Sequence, residues 1–292
     1  MDYLNAFFTT LSSLLWGWPM IALLLGTHVF LTIRLRFPQL KILKAIKLSV
    51  KRDKDASGDV SQFGALATAL AATIGTGNIV GVATAISLGG PGAVFWCWLT
   101  GVFGIATKYG EGLLAIKYRE TTADGRMLGG PMYALEKGLG WKWMAVLFAI
   151  FTACASFGIG STVQANAIAT ITHEAYGVPT TIVGIAVSLL IAAVVLGGVK
   201  SIAKVCGFLV PFMAIFYVLG CIYILSVNGS YVWPAIKLIV ESAFSPQAAS
   251  GGFAGTSVML AARYGISRAL FSNESGMGSA PIVAAAAAHA TP

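Results

Sequence analysis

From Val205 to Val227 the chain runs without one charged side chain, "VCGFLVPFMAIFYVLGCIYILSV". No other kind of feature constrains the fold as strongly, because roughly 20 apolar residues in an α-helix cross the ~30 Å hydrocarbon core of a bilayer. In hydrocarbon every backbone N–H and C=O must find its partner inside the protein, and a continuous apolar helix does this within itself. Six further apolar segments meet the same criterion, at approximately 11–33, 62–88, 92–116, 143–172, 179–198 and a long, interrupted 253–290. Of the 292 residues 57% are hydrophobic and 10% charged, and the mean hydropathy is +0.81. Those values exclude a soluble globular enzyme and predict an all-α polytopic membrane protein in contact with lipid.

The net charge of +8 does not point to nucleic acid. Arg34, Arg36, Lys41, Lys44, Lys47, Lys51, Arg52 and Lys54 crowd into one loop between apolar runs, which is how cytoplasmic loops are marked. The 117–142 connection, with Lys117, Arg119, Arg126, Lys137 and Lys142, and the turn holding Lys200 and Lys204 share that sign. The connections near 89–92, 173–178 and 228–252 carry a single lysine, Lys237. The alternation places the N-terminus outside, the second segment running inward to outward and the seventh in the opposite sense. Cys97, Cys154, Cys206 and Cys221 lie in apolar segments without metal-ligand spacing and read as packed thiols. The N-terminus "MDYLNAFFTTLSS" has no basic region before its apolar run, so that run reads as a mature helix.

Two segments are broken. In "FGALATALAATIGTGNIVGVATAISLGG" the stretch Thr73–Asn78 places glycines, threonines and an asparagine at membrane depth. In "ALFSNESGMGSAPIVAAAAA" the residues Ser272, Asn273, Glu274, Ser275, Gly276 and Gly278 do the same, ahead of an alanine run with Pro281 near its start. Irregular backbone at that depth must be buried or line a cavity. Two Gly- or Pro-interrupted spans, in oppositely oriented halves, are the sequence mark of a secondary-transporter binding site. A channel is the alternative reading, since "TIGTG" has the character of a carbonyl-lined filter, but a filter follows a short pore helix within a two-helix repeat. A non-transporting scaffold is another, because Gly77 and Gly81 form a G-x-x-x-G packing motif. Packing accounts for the glycines and leaves Thr73, Thr76 and Asn78 unexplained. Metalloprotease, hydrolase-elbow and P-loop motifs do not occur, so an enzyme is not expected.

The stretch "TIGTGNIVGVATAISLGGPGAVFWCWLTGVFGIATKYGEGLLAIKYRE", with "LGGPMYALEKGLG" and "ALFSNESGMGSAPIVAAAAA", resembles the alanine or glycine:cation symporters of prokaryotes over nearly the whole chain. More distantly, "TIGTGN" and "FSNESG" resemble the breaks of the neurotransmitter:sodium symporters. The resemblance implies a five-plus-five inverted-repeat transporter in the prokaryotic cytoplasmic membrane. It would symport sodium with alanine or glycine, need no organic cofactor, and be monomeric when complete. In these terms residues 1–60 supply an extra N-terminal helix and a basic loop, 61–227 the first five-helix repeat, and 253–292 the first, broken helix of the second. The chain then reads as an incomplete symporter with its second repeat truncated.

The same resemblance implies the site. The N–H groups of Gly75, Thr76 and Gly77, at the start of the half-helix near Asn78, would meet the substrate carboxylate, as the positive end of a helix dipole favours. Sodium would be held by the carbonyls of Ala71, Thr73 and Ile74, with oxygens from Asn78 and Ser272. The carbonyls of Phe271, Ser272 and Asn273 would take the substrate ammonium, with Phe271 as a lid and Gly276 leaving room for a small side chain. Gln164 corresponds to a glutamine at the substrate; an interhelical hydrogen bond is its structural alternative. Glu274 is either functional, a cap on a half-helix, or a partner for Arg268. Lys108 and Glu111, one turn apart, read as an internal ion pair. His28, His173 and His289 receive no role.

Overall fold

The computed structural model describes residues 2–50, 60–244 and 258–287. Lys51, Arg52, Lys54, the 245–257 stretch and the end of the seventh segment with His289 lie outside the described residues. Helices run as α1 (Asp2–Leu15), α2 (Trp18–Arg34), α3 (Ile42–Val50), α4 (Gln62–Thr73), α5 (Val82–Gly89) and α6 (Gly92–Lys117). They continue as α7 (Pro131–Tyr133), α8 (Lys142–Ala155), α9 (Val163–Tyr176), α10 (Thr180–Val195), α11 (Gly198–Val227), α12 (Gly229–Phe244), α13 (Val258–Asn273) and α14 (Ala280–Ala285). Boundaries follow local chemistry. The Ser61 hydroxyl accepts the Gly64 N–H at 3.0 Å and caps α4, Gly177 closes α9 with a left-handed φ of 69°, and Pro179 precedes α10.

By length and composition three spans can cross a membrane, Tyr3–Arg34, Lys142–Tyr176 and Gly198–Val227, and a fourth if Gln62–Thr73 and Gly77–Gly89 count as one. Phe208 and Phe216 on α11 and Leu189 and Leu190 on α10 are all exposed, an apolar surface that suits lipid and not water.

Several expected boundaries are corrected. The first span runs from Tyr3, where the sequence pattern put its start near residue 11, with a turn at Trp16–Gly17 between α1 and α2. The basic loop contains α3, whose "ILKAIKLSV" sets apolar side chains on one face and lysines on the other. Lys200 and Lys204, expected in a turn, lie in the first turns of α11. The 228–252 connection contains α12, shorter than a span, with Lys237 beside Glu241 at 3.7 Å one turn on. A two-stranded hairpin, β1 (Glu120–Thr121) with β2 (Met127–Leu128), interrupts the all-α pattern.

The chain forms two compact units, residues 1–42, 77–110 and 217–277 in the first, and 43–76, 111–216 and 278–292 in the second. The backbone therefore passes from one to the other within each break. In the first unit α13 packs on α5 and on α2, and its Ala262, Ile266 and Leu270 form a buried cluster with Ile21 of α2, with Trp16 and Trp96 against them. Small residues allow this approach: a Cβ on Gly89 would stand 3.1 Å from Tyr264 Cβ, and one on Gly92 would stand 2.5 Å from the Ser242 carbonyl oxygen of α12. In the second unit α14 packs on α4, around Val60, Ala65, Ala203 and Ala286.

Candidate functional site

The first break begins where α4 ends. Ile74 turns to an extended conformation (φ −92°, ψ 95°), while its N–H still donates to the Leu70 carbonyl at 2.7 Å. Helix resumes at Gly77 as a π-helical turn through Gly81, a widened geometry that recurs at functional sites. The second break is longer. Helix α13 stops at Asn273, and Glu274, Gly276 and Gly278 follow with φ of 54°, 87° and 79° before α14 starts at Ala280. Left-handed backbone is open to glycine and costs other residues about 1–2 kcal/mol, so Glu274 is held there by its surroundings. Its N–H donates to Leu270 O at 2.8 Å, and the Asn273 Oδ1 accepts the Ser275 N–H at 2.9 Å. Both expected discontinuities are present.

Within the first unit the two breaks touch. Ser272 Oγ donates to Asn78 Oδ1. Gly77 is buried against the same residues, where a Cβ would stand 3.1 Å from Ser272 Cα and 3.3 Å from Phe271 Cδ1. The Phe271 ring therefore lies along the Gly77 backbone. The Asn273 carbonyl has an occupant that the sequence did not suggest: Lys108 Nζ donates to it at 2.9 Å. Gly276 has a left-handed φ of 87°, and a Cβ there would meet Leu24 Cδ2 at 3.3 Å.

Within the second unit, Thr76 Oγ1 donates to Gln164 Oε1, so Gln164 stands at the first break. It is the second residue of α9, directly after a π-helical stretch at Ser156–Thr162. The Thr73 hydroxyl bonds back along α4 to Ala69 O at 3.1 Å and Leu70 O at 3.3 Å, and Ala71 lies in the same last turn. Gly75 differs from Gly77, for a methyl there would meet no atom within 4 Å. Arg119 Nη1 reaches the carbonyls of Ala285 and Ala287 at 3.1 and 2.8 Å and so caps α14. A cavity of about 340 Å³, lined by Leu114, Tyr118, Pro131, Leu135 and Pro281 among others, lies in this unit and includes none of the candidate residues.

One buried group escaped the sequence reading. His28 of α2 is fully buried, with Nδ1 2.7 Å from Thr107 Oγ1 of α6, and its ring lies near Gly276. A single histidine on an apolar helix carries no signal that would have revealed this. Among the described residues there is no group of three His, Cys, Asp or Glu that could hold a metal. Besides the Glu274 carboxylate, what the breaks offer is neutral oxygen, from hydroxyl, amide and carbonyl groups, and such all-oxygen chemistry suits a hard cation better than a transition metal.

Long apolar helices, with two helix breaks whose polar groups are in contact, mark a multi-pass membrane protein. The chain belongs to the sodium:alanine symporter family, whose sequence model matches residues 1–292. It is 52% identical over 286 residues to an uncharacterized transporter of Haemophilus influenzae, covering 97% of this chain and 63% of that protein. It is 51% identical over 294 residues to the sodium/alanine symporter AgcS of Methanococcus maripaludis, covering 98% and 64%. With the probable sodium/glutamine symporter GlnT of Bacillus subtilis the identity is 38% over 285 residues, covering 96% and 58%. The chain thus spans less than two thirds of the length of these relatives. Its relatives are transporters and not enzymes, and they do not favour the channel.

Proposed function

We propose that this protein couples the entry of a small neutral amino acid, alanine or glycine, to sodium across the prokaryotic cytoplasmic membrane. The observation that carries the reading is the Ser272–Asn78 bond, which ties the two helix breaks together through the very oxygens that a cation would use. Family membership and the likeness to the sodium/alanine symporter of Methanococcus support it. Sodium is assigned to the carbonyls of Ala71, Thr73 and Ile74 and to the oxygens of Asn78 and Ser272. The amino acid carboxylate is assigned to Gly75, Thr76 and Gly77, where a half-helix begins, with Gln164 beside it through Thr76. The ammonium goes to the carbonyls of the second break. The architecture is one extra N-terminal helix, the first five-helix repeat and the first, broken helix of the second repeat of a five-plus-five inverted-repeat fold, with the N-terminus outside, a monomer as the working unit when complete, and the basic 34–54 and 117–142 segments in the cytoplasm.

The test is uptake of labelled alanine into proteoliposomes of the full chain under an imposed inward sodium gradient, with proton and potassium gradients as controls. Accumulation is expected under sodium alone, and Asn78→Leu should bring it to background, since in a dry site no water replaces the lost oxygen. Uptake driven equally by potassium, or wild-type uptake by Asn78→Leu, would contradict the assignment.

A further inference from the structure

Helix α6 reaches the second break with two residues one turn apart, and therefore on one face. At the first, Gly104, a Cβ would stand 3.0 Å from Ser275 Oγ and 3.2 Å from Ser275 Cβ, so the helix backbone itself is the surface on which Ser275 packs. Ser275 is only 3% exposed. At the second, Lys108 extends its ammonium to the Asn273 carbonyl at 2.9 Å. Asn273 is the last residue of α13, where carbonyls run out of helical N–H partners and the dipole gathers negative charge. Just beyond it the chain adopts three left-handed residues within five positions, Glu274, Gly276 and Gly278. The two glycines adopt it freely, but at Glu274 it is kept only where the surroundings determine it. Intramembrane lysines are rare, and where present they pair with carbonyls or charges along substrate and ion paths.

We propose that Lys108 is a positioning residue for the second break, a tethered cation that holds the Asn273 carbonyl. It fixes the geometry of Phe271 and Ser272, and by like-charge repulsion it denies the Asn273 oxygen to the amino acid's ammonium and to sodium. The substrate ammonium is then left the carbonyls of Phe271 and Ser272. The assignment to substrate rests on the symport reading, whereas the hold on Asn273 does not.

Two measurements on purified full chain, wild type, Lys108→Met and Lys108→Arg, separate these parts. Backbone hydrogen exchange over residues 270–278 reads the tether directly. Lys108→Met should exchange there at least about tenfold faster, as expected for a lost charge-assisted bond, with α8 to α10 unchanged and Lys108→Arg close to wild type. Alanine binding in saturating sodium reads the consequence. Lys108→Met should bind about tenfold more weakly and Lys108→Arg within about threefold of wild type. Unchanged exchange in Lys108→Met, or an arginine variant that behaves like the methionine one, overturns the proposal. Should Lys108→Met fail to fold, wild-type exchange in Lys108→Arg supports the tether and faster exchange overturns it. A wild-type chain that shows no sodium-dependent alanine binding would defeat the symport reading, while the exchange comparison would still judge the tether.

Discussion

Two glycines of the first break, Gly75 and Gly77, do different work although only one residue separates them. A methyl on Gly77 would press on the Ser272 backbone at 3.1 Å, so this glycine serves the packing of one break on the other. A methyl on Gly75 would meet no protein atom within 4 Å, so packing does not require a glycine there. On the proposed function, close approach of a bound carboxylate does. Gly77→Ala should therefore lower both thermal stability and alanine affinity. Gly75→Ala should leave the melting temperature unchanged and still weaken alanine binding by about tenfold or more, the scale of a lost charge-assisted hydrogen bond. A Gly75→Ala protein that binds alanine normally would remove this residue from the site. These roles were only partly legible in the sequence. Glycine and polar residues at membrane depth announced a break, but the difference between Gly75 and Gly77 depends on Ser272, 195 positions beyond Gly77. Lys108 is the same case, since its carbonyl partner lies on α13, 165 positions away in sequence.

At the scale of elements, spans fixed by composition alone were read well and those that depend on neighbours were not. Helix α11 followed from its uncharged run, and the interruptions of α4–α5 and α13–α14 followed from clustered glycine and polar residues. Helix α12 was read as a loop because it is too short to span. It is helical since its Ser242 and Ala243 bury against the start of α6, where Gly92 leaves room. Helix α14 depends on a partner in a similar way. It holds six residues, too few for a stable isolated helix, and Arg119 satisfies carbonyls at its end. Arg119→Met should cost about 1.5–3 kcal/mol per bond to charge that is lost. The outcome to look for is a lower melting temperature in detergent, together with faster hydrogen exchange at residues 280–287. Unaltered exchange there would show that α14 is held by packing on α4 alone.

At the scale of the molecule, each break is a place where the chain passes between its two compact units. The central claim is that sodium and a small amino acid bind at these breaks and help one another. Linkage makes that claim quantitative, because if sodium raises alanine affinity by some factor then alanine must raise sodium affinity by the same factor. The direct measurement is equilibrium binding of alanine at a series of sodium concentrations, and of sodium at a series of alanine concentrations, on the purified full chain. The account predicts two equal coupling factors, of about tenfold or more, both abolished by Asn78→Leu. Alanine affinity that is indifferent to sodium, or coupling that survives Asn78→Leu, would contradict it.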